Sequence, residues 1–94
     1  MQVKWLRKAL NNLDEIAEFI AQENPVAAKR VVARLYEATH SLPLHPQMGR
    51  PGRVSGTREL ALPDLPFIIP YRVHQRTVEI LRVFHTSRRL PDRW

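Results

Sequence analysis

Glu23-Asn24-Pro25-Val26-Ala27-Ala28 is the stretch that decides how this chain folds. Asparagine is a favoured N-cap, because its side-chain oxygen accepts a hydrogen bond from a backbone N–H in the first helical turn. Proline suits the first helical position, where its missing N–H has no partner to lose and its fixed φ is already helical. Asn24-Pro25 therefore predicts a helix start. Downstream, Ala28, Val31, Val32, Leu35, Ala38 and Leu42 share one face, and Pro43 is the expected stop.

Upstream, Leu6, Leu10, Leu13, Ala17 and Ile20 recur at helical spacing, with Asp14, Glu15 and Glu18 on the wetter side. This predicts a first helix over about residues 7–22, with no good N-cap. The connection Gln22–Asn24 is short, so the two helices form an antiparallel hairpin. Before them, Val3 and Trp5 alternate with Gln2 and Lys4, which predicts a strand over 2–5. Neither helix can bury its stripe alone. An apolar sheet must cover the other side.

That sheet is expected in the second half. Pro43, Pro46, Gly49, Pro51, Gly52 and Gly56 mark a surface connection over 43–57. Three strands follow, at about 57–62, 67–74 and 77–85. Pro63-Asp64-Leu65-Pro66 joins the first two, and His74-Gln75-Arg76 turns a hairpin between the last two. Pro70 cannot donate to a ladder, so its strand must offer it an unpaired or bulged position. Val78, Ile80, Arg82 and Phe84 are placed on one face of the last strand, and Glu79, Leu81, Val83 and His85 on the other. Both faces are largely apolar, as in a strand covered on both sides. The expected class is α+β: an N-terminal helical hairpin packed on a small, mostly antiparallel sheet, in the order β-α-α-β-β-β. Residues 1–94 read as one domain.

Composition narrows the function. No run approaches the roughly 18 apolar residues of a membrane span, and the first residues lack the apolar core of a secretion signal. Cysteine is absent, which excludes disulfides, thiolate metal sites and a cysteine nucleophile. The chain reads as cytoplasmic, with no membrane role. His40, His45 and His74 have no ligand-like spacing, so neither a metal nor another cofactor is expected.

The net charge is +6, distributed as −1 over residues 1–24, +2 over 25–49 and +5 over 50–94, so the attraction for anions is strongest in the second half. Every Lys or Arg there is an arginine: Arg50, Arg53, Arg58, Arg72, Arg76, Arg82, Arg88, Arg89 and Arg93. Arginine presents a planar fork that grips phosphate and carboxylate. These groups are expected to gather into one outward-facing positive region for nucleic acid or an acidic protein. Arg72 and Arg82 either contribute to it or pair with Glu59 and Glu79 inside the sheet. Arg88, Arg89 and Arg93 lie on a polar tail and are expected to be exposed. Trp5 reads as core, whereas Trp94 either folds back or meets a partner.

Several stretches, taken in order, resemble the RelE/ParE superfamily, the toxins of type II toxin–antitoxin modules. They are Asn24-Pro25 with Ala27-Ala28, Met48-Gly49-Arg50-Pro51-Gly52, Gly56-Thr57-Arg58-Glu59-Leu60, Pro66-Phe67-Ile68-Ile69-Pro70-Tyr71-Arg72-Val73, and Val78-Glu79-Ile80-Leu81-Arg82-Val83-Phe84-His85 followed by Arg88. The resemblance covers nearly the whole chain and implies a bacterial or plasmid-borne toxin silenced by a cognate antitoxin. RelE-type members cut messenger RNA in the ribosome. ParE-type members share the fold but inhibit DNA gyrase without a nuclease site.

The resemblance also sorts the candidate residues. RelE-like nucleases use strand arginines and lysines with a C-terminal tyrosine or histidine. Here Ile68 falls at the place of a key strand arginine and Trp94 near that of the tyrosine. Indole cannot transfer a proton at a useful pKa. Arg88 matches a basic position, and Arg58 lies where lysine is common. If the chain is a nuclease, its working groups are Arg58, Arg82, His85 and Arg88. His85 is the acid/base candidate because histidine titrates near neutrality; alternatively, it ends a strand and bonds a loop. The incomplete set favours a gyrase inhibitor, with Arg58, Arg72, Arg82, Arg88, Arg89, Arg93 and Trp94 meeting target or antitoxin. The other readings are a ribosome-dependent mRNA endonuclease and a non-toxic relative that keeps only antitoxin binding.

Overall fold

The computed structural model describes residues 1–94. Its elements run β1 (Gln2–Trp5), α1 (Arg7–Ala21), α2 (Pro25–Ala38), β2 (Arg50–Pro51), β3 (Arg58–Ala61), β4 (Phe67–His74), β5 (Thr77–Ile80) and β6 (Phe84–His85). The architecture is the expected α+β: a helical hairpin followed by a sheet in the order β1-β5-β4-β3-β2, with β6 also paired to β4. All ladders are antiparallel except β1 with β5, which is parallel. No helix is long and apolar enough to cross a membrane.

The caps behave as the sequence indicates. Asn24 Oδ1 accepts from Ala27 N at 3.0 Å, a bond worth about 1 kcal/mol to the helix. α1 starts at Leu6 with no side-chain cap. Two details differ from expectation. The α2 helix ends at Ala38, well before Pro43, because Thr39 Oγ1 donates to Tyr36 O and the chain turns there; Leu42 is still fully buried, but from the turn. On α1 the buried face is set by Ala9 and Leu13, while Leu10 is 43% exposed, so the apolar stripe sits one residue round from where leucines alone place it.

The core lies between the helices and one face of the sheet. Ala9, Leu13, Leu35 and Leu42 meet Leu60, Phe67, Ile69, Tyr71, Val78, Ile80 and Val83. Full burial of a side chain such as Ile69 or Ile80 contributes about 1.5–3 kcal/mol. Trp5 is half-buried beside this core and stacks on Tyr36 with ring centroids 5.6 Å apart.

The last strand is the main correction. Residues 77–85 form two strands, not one, because the register slips by one residue against β4. Tyr71 stands opposite Ile80, whereas Ile68 stands opposite Phe84. Pro70 sits at the slip. Leu81 N donates to its carbonyl at 2.9 Å, and the N–H that proline lacks would have pointed at the same place. A bulge there leaves no donor missing. It also inverts the side-chain alternation, so Val83 joins Val78 and Ile80 in the core rather than facing away with Glu79. The bulge is held from the helices: Asn12 Oδ1 accepts from Val83 N and Arg82 Nε, each at 3.0 Å.

Candidate functional site

The arginine-bearing half is organised around Glu59, which is buried to 3% exposure on the sheet face away from the helices. β2 exists because of it. Arg50 stands opposite Glu59 in the ladder and donates Nη2 to Oε1 at 3.1 Å. Arg53 N donates to Oε2 at 2.8 Å, and the Arg53 guanidinium lies 3.6 Å from the same oxygen. Burial alone would raise the Glu59 carboxyl; the Arg53 N–H and the Arg50 side chain, with both positive charges, outweigh it and hold the pKa below the ordinary value.

On the helix-facing side, Tyr71 is the matching anchor. Its hydroxyl donates to Pro46 O and accepts from Gly49 N, both at 2.8 Å. Gly49 is required there: a Cβ would stand 2.7 Å from Tyr71 Cε1 and 2.9 Å from Glu59 O. Arg58, directly across the ladder from Tyr71, donates Nη1 to Gly49 O at 2.8 Å. The connection over 43–57 lies at the surface, as expected, but is pinned at Gly49, its one buried residue.

The remaining candidates separate. Arg72 pairs with Glu79 at 2.6 Å, and that hydrogen bond holds the Glu79 carboxyl below its ordinary range, against some burial. Arg82 takes neither glutamate: it bonds Asn12 and the main-chain oxygen of Trp94, with its guanidinium 4.6 Å from the Phe84 ring. Trp94 folds back, its Nε1 donating to Thr57 Oγ1 at 3.2 Å and its ring 5.5 Å from Phe84. The Arg53 guanidinium lies over that indole, 5.7 Å from its centroid. His85 Nδ1 accepts from Ser87 N at 3.1 Å, so the neutral ring carries its proton on Nε2. Its edge meets Phe67. Arg88, Arg89 and Arg93 are exposed and have no carboxylate partner.

Part of the expected positive charge is neutralised within the molecule. Arg50, Arg53 and Arg72 are each bound to an internal carboxylate. Arg72 and Arg76 lie towards the β4–β5 turn, and Arg88, Arg89 and Arg93 on the tail. Two of the nuclease candidates, Arg58 and His85, stand apart. Arg58 pairs with Tyr71 and His85 with Phe67, positions about 13 Å apart along β4 and on opposite sides of it. His85 and Arg88 share one turn, Arg88 N donating to His85 O at 3.1 Å along the main chain. Asn12 escaped the sequence reading. An asparagine within the Ala9–Leu13 turn of an apolar stripe was the available signal, since a polar group there needs a partner.

The profile of the family described as "ParE toxin of type II toxin-antitoxin system, parDE" matches residues 3–90. The chain is 49% identical over 91 residues to "Putative toxin Y4kP" of Sinorhizobium fredii, covering 97% of this chain and 94% of that protein. It is 38% identical over 87 residues to Toxin RelE2 of Caulobacter vibrioides, covering 93% and 97%. Among solved structures, the "Chromosomal ParDE TA system from P. aeruginosa" is similar with a TM-score of 0.83 and 33% identity, over 93% of this chain and 97% of that one. The chain belongs to the ParE toxin family of type II toxin–antitoxin systems.

Proposed function

We propose that this protein acts in the cytoplasm as one domain that inhibits DNA gyrase by binding it, without enzymatic activity, and that a cognate antitoxin neutralises it. The observation that carries the reading is the match to the ParE family over residues 3–90. The separation of Arg58 from His85 supports it, since acid–base cleavage needs donor, acceptor and cation at one phosphate. Arg58, Arg82, Arg88, Arg89 and Arg93 remain the proposed contacts to target or antitoxin, with Arg72 and Trp94 at the margins.

A second reading, ribosome-dependent mRNA cleavage, draws on the 38% identity to a protein named Toxin RelE2 and on the closeness of His85 and Arg88. Two experiments separate them. Purified protein is expected to block gyrase supercoiling, and antitoxin to restore it. Site-specific cuts in ribosome-bound message, lost in His85→Ala, would replace the first reading with the second. Unimpaired growth on induction without antitoxin would leave a non-toxic, antitoxin-binding relative.

A further inference from the structure

Residues 86–94 follow the last strand, yet they are tied down at both ends. At the near end, Thr86 N donates to Pro66 O at 2.8 Å and Arg88 N to His85 O at 3.1 Å. At the far end, the main-chain oxygen of Trp94 accepts from Arg82 Nη1 at 3.2 Å. Its ring lies 5.5 Å from that of Phe84, with the Arg53 guanidinium 5.7 Å from the indole centroid. Trp94 Nε1 donates to Thr57 Oγ1 at 3.2 Å, and that hydroxyl is set to accept because its own proton goes to Val54 O at 2.7 Å. Between the two ends, no main-chain hydrogen bond involves residues 89–93. The posture of the whole loop therefore depends on Trp94.

The loop carries Arg88, Arg89 and Arg93, all exposed and none paired with a carboxylate, against one acid, Asp92. Arg50, Arg53 and Arg72 are held by Glu59 and Glu79, so this loop gathers guanidinium charge that the molecule leaves unneutralised. Its chemistry favours a phosphate chain over a protein. Protein interfaces centre on desolvated apolar and aromatic side chains. Here the large apolar side chains, Leu90 and Trp94, are half-buried, and everything exposed is polar, charged or proline. Arginine forks match the phosphates of a nucleic-acid backbone, whose binding is carried by charge. With no exposed ring in the loop to stack on a base, a duplex fits better than a single strand. A loop already closed also loses less freedom on binding than a floating one, so its charges act together.

We infer that residues 86–94 form a latched loop that grips the phosphate backbone of duplex DNA through Arg88, Arg89 and Arg93, with Trp94 as the positioning residue that keeps it closed. The inference deepens the gyrase reading, because gyrase works on duplex DNA, but its test needs only the purified chain, so the two fail separately. The probe is a short fluorescein-labelled duplex of mixed sequence, followed by anisotropy over a range of salt. Each of Arg88→Gln, Arg89→Gln and Arg93→Gln is expected to reduce the slope of log K against log salt by about one. Arg76→Gln, an equal loss of charge at the exposed β4–β5 turn, should leave that slope in place. Trp94→Ala keeps every charge and touches no member of the core cluster. It should loosen the amides of residues 89–93 in nitrogen relaxation and weaken the duplex several-fold. Trp94→Phe, which keeps a ring against Phe84 and Arg53, should restore most of the affinity. Should Trp94→Ala disturb the fold, relaxation of the wild type decides: its loop should be as rigid as the strands. No binding of the duplex, an unchanged slope in all three arginine variants, wild-type affinity in folded Trp94→Ala, a wild-type loop as mobile as a free chain, or tighter binding of an aspartate-rich peptide than of the duplex would each overturn the inference.

Discussion

β4 is one strand in two environments. Phe67 to Tyr71 are buried, whereas Arg72 to His74 are exposed. The inner part has β3 on one side and β5 or β6 on the other; the outer part has β5 alone. The contrast shows how one short strand serves both as core and as surface. Its inner half holds the helices and the Gly49 loop in place. The outer half, carried on the same backbone, keeps β5 as its one neighbour, with Arg72 paired to Glu79 across that ladder.

Substitutions can break this comparison. The largest effect is expected for Ile69→Ala, which should lower stability by about 2–5 kcal/mol through lost burial and a cavity, read as a fall in the urea midpoint. Val73→Ala, on the same face of the same strand, should stay within about 0.5 kcal/mol. Equal costs at the two positions would abolish the distinction.

Tyr71→Phe sharpens the boundary. Without the hydroxyl, Gly49 N–H and Pro46 C=O lose their shared partner, at a cost of roughly 1–3 kcal/mol. The accompanying change should be faster exchange of the Gly49 amide, with the outer residues unaffected.

Acid titration addresses the opposite face. The Glu59 carboxyl titrates below the ordinary value of 4.5 in the folded protein. Its contribution is therefore complete above that value and is lost as pH falls through the lower folded pKa. Wild type should lose stability over this acid range more steeply than Glu59→Gln, which is less stable at neutral pH but has no carboxylate to protonate there. Parallel pH profiles would mean that the Arg50–Glu59–Arg53 cluster is not what holds β2. A small effect is also expected at Arg72→Gln, whose pair with Glu79, half-exposed on the arginine side, should be worth less than about 1 kcal/mol to folding.

How much of this was legible beforehand follows from how local each signal is. Asn24-Pro25 fixes a helix start within a few residues, and the hairpin followed from a short connection. Pro70 announced an unpaired or bulged position, but not which residues of the neighbouring strand would absorb it; that depends on register, so the split at Leu81–Val83 and the inward turn of Val83 were hidden. The two-residue β2 was hidden too, because it forms through Glu59 rather than through propensity. The site suffered most. Whether Arg72 meets Glu79 is a matter of hairpin register, and Arg82 reaching Asn12 spans 70 residues of sequence. Runs of arginine indicated an appetite for anions; only the ladders decided which carboxylates within the molecule would take the first share.

Hydrogen exchange resolved along β4 tests the two-environment account most directly. Amides of Ile69, Tyr71, Arg72 and His74, whose N–H groups point at neighbouring strands, should exchange slowly. The Val73 amide, between two protected neighbours, should exchange close to the rate of an unstructured chain. Uniform protection through His74 would mean that β4 is paired on both sides along its whole length and has a single character.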